Sequence, residues 1–160
     1  IMGYEIGSKR GVANHYGPRG TDNQYGGQDN SVGKVKEASW TFDYDKLPAY
    51  SASNLEMQIP ANSTVLHAHI RVLTAAVSSG TANLTVGLTA TDGSVVDADG
   101  LIKATDATYA RMQVKGLRQA GTGDYIAVLP VGAKDVEVTV ASAAALTAGR
   151  FELVVQYQYN

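Results

Sequence analysis

The chain reads as an all-β domain, a jelly-roll-like antiparallel β-sandwich preceded by an extended N-terminal arm. Three observations carry this expectation. From Ser39 onward, apolar residues recur at every second position in six separate segments. Turn-forming pairs separate those segments. Ahead of them, residues 1–38 hold eight of the 17 glycines and show neither a helical nor a strand period.

The strands follow in order. Ser39–Tyr44 alternates Trp40, Phe42 and Tyr44 with polar neighbours. Val65–Leu73 sets Leu66, Ala68, Ile70 and Val72 on one face. Val65, His67, His69, Arg71 and Leu73 take the other. Asn83–Thr89 alternates Leu84, Val86 and Leu88. Asp124–Val131 opposes Tyr125, Ala127 and Leu129 to Ile126 and Val128. Asp135–Ala141 repeats Val136, Val138 and Val140. Phe151–Tyr159 repeats Phe151, Leu153, Val155, Tyr157 and Tyr159. A period of two with one apolar face is the pattern of antiparallel strands packed on a core.

Ser79-Gly80, Asp92-Gly93, Gly121-Thr122-Gly123 and Gly149 supply turns between strands. Pro60-Ala61-Asn62-Ser63 ends an extended segment just before Val65. The helical candidate is short, about residues 104–112. Ser142–Leu146 is rich in alanine but too short to hold a helix alone. Many short strands at this spacing form sandwiches or jelly rolls. The division into units is residues 1–38 as arm and 39–160 as β-sandwich.

Composition bounds the function. Hydrophobic residues make up 44% and charged residues 18% of the 160 positions, the balance of a globular domain. The formal charge is -2, which gives nucleic acid or an anionic membrane no electrostatic hold. With no cysteine, disulfides and thiolate chemistry are excluded. No run reaches the roughly 18 apolar residues of a membrane helix. The polar, glycine-rich N-terminus has no signal-peptide pattern. Ile1 precedes Met2, so residue 1 need not be the natural start.

Chemistry has few footholds. His67 and His69 form an H-x-H on one strand face, where two imidazoles can reach one metal. A third ligand is missing at close spacing, and Arg71 shares the face. Asp92, Asp97, Asp99 and Asp106 make an acidic stretch, TDGSVVDADGLIKATD. Counted from Asp97, the sixth EF-hand position is Ile102 and the twelfth Thr108, so that loop spacing fails. Asp-Gly turns account for Asp92 and Asp99 equally well. No nucleophile elbow, P-loop or dinucleotide fingerprint is present. The expectation is a protein that is not an enzyme and needs no cofactor or metal.

The arm remains to be explained. Apart from Met2, its large aliphatic residues are Ile1, Ile6, Val12, Val32 and Val35. That is too little apolar surface to offset a backbone entropy of ~1–2 kcal/mol per residue. Yet a bland linker has no use for Tyr4, Tyr16 and Tyr25, nor for Lys9, Arg10 and Arg19. Either this is an idle tail, or these six residues bind a partner as the arm orders against it. Fully extended, 38 residues reach up to ~125 Å, whereas a domain of this size has a radius of gyration of only ~14 Å.

From Ile59 onward, a set of short motifs stands out. Pro60 precedes an apolar strand. Gly80-Thr81, Leu84 and Val86-Gly87 follow, then Asp99-Gly100-Leu101-Ile102. Thr147-Ala148-Gly149-Arg150 leads into Val155 and Tyr157. This layout resembles the small β-sandwich proteins encoded near the major capsid gene of tailed bacteriophages, the head decoration or cement proteins and related minor virion proteins. The resemblance implies a structural protein on the outer surface of the virion, made in the host cytoplasm. It also implies the major capsid protein as partner, often with a homotrimeric state. Two other readings stay open. One is a receptor- or glycan-binding module of a tail or fibre, with Trp40, Tyr44 and Tyr50 as a sugar platform. The other is a head–tail neck protein.

Overall fold

The computed structural model describes residues 14–16, 28–31, 35–50 and 58–158, the first two segments as backbone only. Ten strands form two antiparallel sheets among these residues. They are β1 (Asn14–Tyr16), β2 (Gln28–Ser31), β3 (Val35–Asp43), β4 (Gln58–Ile59), β5 (Thr64–Ser78), β6 (Leu84–Ala90), β7 (Val95–Ile102), β8 (Arg118–Ala120), β9 (Val136–Ser142) and β10 (Leu146–Gln158). A single helical turn, α1 (Tyr109–Met112), lies between β7 and β8.

One sheet has the order β1-β2-β3-β10-β5-β8, the other β4-β9-β6-β7. The eight strands from β3 to β10 pair as a nested set. The first pairs with the last, the second with the seventh, the third with the sixth and the fourth with the fifth. A long hairpin rolled up in this way is the double Greek key of a jelly roll. The all-β sandwich expected from the alternation is therefore the architecture found.

The core lies between the inner faces. Register places Phe42, Phe151 and Val72 in one row across β3, β10 and β5. Trp40, Leu153 and Ile70 form the next, and Ala38, Val155 and Ala68 the third. Phe42 and Phe151 have ring centroids 5.7 Å apart at 41°, a tilted aromatic pair. Leu84, Val86, Leu88, Val136, Val138 and Val140 face them from the second sheet, all within the same buried cluster.

Several expectations need correction. Leu66 does not share the inner face with Ala68. A register shift between Gln156↔His67 and Tyr157↔Val65 puts an extra residue in β5. Such a bulge reverses the alternation, so Val65 is fully buried and Leu66 is not. Gly149 is not a turn between strands. It sits inside β10 at another register shift with φ +141°, where an added Cβ would lie 2.9 Å from Phe151 Cζ. Residues 124–131 do not form a strand. Isolated bridges Thr64↔Pro130 and Val65↔Ile126 hold them as a loop, and Ala127 there takes φ 59°. Its N–H donates to the Val65 carbonyl at 2.6 Å. Val128 is 74% exposed at the loop's tip. The helix covers only the end of the expected 104–112 span.

Half of the acidic stretch, Val95–Ile102, is a strand. β7 pairs with β6 through Val86↔Ile102 and Leu88↔Asp97. Gly87 alone thus faces the four residues 98–101, which arch over it. A Cβ on Gly87 would lie 2.3 Å from the carbonyl oxygens of Asp97 and Ala98. Asp106 is a structural clasp. Its carboxylate accepts from the Thr122 N–H at 2.8 Å, the Thr122 hydroxyl at 2.9 Å and the Lys103 N–H at 3.1 Å. Burial works to raise the pKa of this carboxyl, but the N–H groups of Thr122 and Lys103 outweigh it, so the net direction is down.

The expected boundary between residues 38 and 39 falls inside β3. Val35 to Ala38 pair with Gln158 to Val155 as an integral part of the sheet. Further along the arm, Gln28↔Ser39 to Ser31↔Lys36 add β2 to the edge of β3. Asn14↔Asn30 to Tyr16↔Gln28 then add β1 to β2.

Candidate interaction surface

The outer face of the six-stranded sheet carries His67, His69 and Arg71. Because directly paired residues of antiparallel strands share a face, the registers define rows across it. One row runs Tyr16, Gln28, Ser39, Val154, His69, Ala120. A second runs Asn14, Asn30, Glu37, Gln156, His67. A third runs Thr41, Glu152, Arg71, Arg118. Tyr16 therefore occupies, by register, the far end of the row that contains His69. Tyr4, Lys9, Arg10, Arg19 and Tyr25 lie outside the described residues.

His67 and His69 stand next to each other as the period of two requires. His67 Nε2 and His69 Nδ1 are 3.1 Å apart, with ring centroids at 5.2 Å and 44°. A hydrogen bond between two imidazoles needs one N–H and one lone pair, so the accepting nitrogen is unprotonated. Burial holds the His69 pKa below its ordinary value, aided by the Arg118 guanidinium and by His67 itself, with Glu37 opposing. Arg118 comes from β8, a strand without apolar alternation in its three residues. Among the described residues, no group of three metal-ligating side chains converges.

The remaining polar contacts on this sheet pair opposite or complementary groups. Gln156 Nε2 donates to Glu37 at 3.0 Å. Arg150 Nε donates to Asp43 at 2.8 Å, linking β10 to the end of β3. Arg71 is exposed and lies between Glu152 and Arg118 in the third row. This face is of mixed charge.

The outer face of the four-stranded sheet is different. Tyr50 crosses it, donating its hydroxyl to the Thr91 carbonyl at 3.1 Å. A cleft of about 240 Å³ opens between Tyr50 and the side chains of Thr89, Val95 and Ala141. It is shallow, and its lining offers no carboxylate, imidazole or amine.

The three aromatics of the sugar platform are scattered. Trp40 is 5% exposed in the core, Tyr50 lies against the second sheet, and Tyr44 is at the surface. No helix among the described residues is long and apolar enough to cross a membrane.

No family model and no curated protein sequence matches the chain. Among solved structures, it is similar to a chain from the capsid of Ralstonia phage GP4. That match has a TM-score of 0.53 and 17% identity, covering 80% of this chain and 86% of the other. It is also similar to a chain from the Cyanophage Pam1 capsid asymmetric unit. There the TM-score is 0.50 and the identity 14%, with 89% of this chain and 93% of the other covered. Coverage is high on both sides, so these neighbours share the architecture of this chain over most of their length.

Proposed function

We propose that this chain is a structural protein of a bacteriophage virion that binds and stabilises an assembled capsid. The observation that carries the reading is the jelly roll itself, matched over most of its length to chains from two phage capsids. In this reading the partner is the major capsid protein, and the chain acts as a decoration or cement protein on the outer capsid surface. It associates with its own copies as a homotrimer.

The part of the arm ahead of β3 lies across neighbouring subunits. Tyr4, Tyr16 and Tyr25 serve as rigid amphipathic anchors, and Lys9, Arg10 and Arg19 as partners for carboxylates. Tyr4 and Tyr16 are separated by up to roughly 40 Å of extended chain, a spacing for separate sites along a surface. Many weak contacts of this sort gain from the high copy number of a capsid lattice. Trp40 in the core argues against a glycan platform, since a buried indole cannot stack on a sugar.

Co-sedimentation with particles assembled without this chain tests the proposal. The full-length protein should pellet with them. Deleting the arm, or replacing Tyr4, Tyr16 and Tyr25 by alanine, should weaken attachment severely, because aromatic anchors tend to dominate interfaces. Equal binding by all three proteins would move attachment to the sandwich. No binding by any of them would favour the fibre or neck reading.

A further inference from the structure

The loop between β8 and β9 carries an exposed apolar tip. Ala127, Val128, Leu129 and Pro130 are four consecutive exposed residues, with Val128 74% and Leu129 44% accessible. A run of this kind is a liability in water unless it serves a function. Ala127 adds a second irregularity. Its φ of 59° lies in the left-handed region, which a residue with a Cβ keeps only where its surroundings hold it there.

The surroundings do hold it. The Ala127 N–H donates to the Val65 carbonyl at 2.6 Å, and the Ile126 N–H to the Gly123 carbonyl at 3.1 Å. Beyond the tip, the Val131 N–H donates to the Ser63 carbonyl at 2.9 Å, and the Asn62 N–H to the Gly132 carbonyl at 2.7 Å. Tyr125 and Ile126 pack against the core, and Val131 is buried in it. The base of the loop is thus fixed while Val128 and Leu129 stay in solvent. A tip fixed before binding spends little contact energy on its own ordering.

Register shows what lies beside it. Pro130 bridges to Thr64, Thr64 pairs with Gln158, and Gln158 pairs with Val35. This row crosses one end of the six-stranded sheet. Three strand spacings make it about 14 Å long, within the footprint of about 800 Å² that one partner covers. Val35 is 46% exposed and is the first residue of β3, where the arm enters the sandwich. The apolar tip and the root of the arm share this end of the sheet. A partner that receives the arm therefore meets the tip as well.

We propose that Val128 and Leu129 form a second attachment point, a preformed apolar knob that seats in an apolar pocket of the same capsid protein that takes the arm. This deepens the capsid-bound reading and rests on it. The arm supplies reach, and the knob fixes how the sandwich is oriented on the lattice.

The test is a co-sedimentation titration with particles assembled without this chain. Val128→Ser/Leu129→Ser should melt as the parent does and attach about tenfold more weakly or worse, the scale of losing one anchor. If the double variant melts lower, Val128→Ser alone, at the more exposed position, should show the same direction of effect. Val128→Ile/Leu129→Met keeps the knob apolar and should attach like the parent. Val114→Ser alters another exposed valine, in the turn that meets β5 at Val72, and should also attach like the parent. Serine variants that fold and attach as tightly as the parent overturn the knob. If the arm-deleted protein still loses attachment in that case, the capsid reading stands without it. A parent protein that never pellets overturns both. Sedimentation velocity of the free protein separates a contact between copies. If the serine changes lower the oligomeric state but leave particle attachment intact, the tip joins copies of this chain and the proposal fails.

Discussion

His67 Nε2 and His69 Nδ1 lie within hydrogen-bond distance, 3.1 Å, across one face of β5. The bond needs a neutral acceptor, and the surroundings favour the neutral form of His69. Burial acts first, then Arg118, then His67, while Glu37 opposes. Arg71 and Glu152 complete the charged residues in the adjoining row. A histidine whose folded-state pKa lies below its ordinary value of about 6.5 binds protons more readily unfolded. Its contribution to stability is thus complete above that value and is lost as pH falls through it towards the folded pKa. Denaturant unfolding from pH 8 to pH 5 should show declining stability, and His69→Gln should flatten that decline. An unchanged pH profile in His69→Gln would mean that other groups carry it.

Leu153 is fully buried between Trp40 and Ile70 in the middle row of the core. Leu153→Ala removes its packing where three strands leave little room to collapse. The expected loss is about 2–5 kcal/mol, read from the shift of a urea titration at constant slope. A loss below about 0.5 kcal/mol would be the size of a surface change and would contradict this placement.

Gly87 is the one residue that β6 sets against four of β7. Gly87→Ala brings a methyl within 2.3 Å of two backbone carbonyls, and backbone cannot swing aside as a side chain does. The variant should melt far lower than the parent or fail to accumulate in soluble form. Leu66→Ala is a useful contrast, since the β5 bulge holds Leu66 off the core-facing side. It should cost clearly less than Leu153→Ala.

Removal of residues 1–34 should leave a cooperatively melting sandwich, because β3 then remains whole. Removal of residues 1–38 also takes away four residues paired with the end of β10 and should lower the melting temperature further. Equal melting of the two truncated proteins would show that the first four residues of β3 contribute nothing to the sheet.

Much of this architecture could be read along the chain, because side-chain alternation is a local property. Phe151, Leu153 and Val155 repeat at every second position, and they do line one face. The same rule put His67 and His69 side by side without knowledge of any other strand. The departures share one cause. A strand's partner lies far away in sequence, and the partner sets the bulges. Leu66 and Val65 exchange faces only because of how Gln156 and Tyr157 pair with β5. Residues 124–131 alternate, yet isolated bridges rather than a ladder pair them with β5, so Ile126 and Val128 never become a strand. Arg118 to Ala120 show no alternation but become one, because the edge of β5 presents three positions to pair with. The link from residues 14–16 and 28–31 to β3 escapes composition for the same reason. Main-chain ladder bonds are nearly indifferent to residue type, so a polar stretch can extend a sheet wherever a free edge lies within reach.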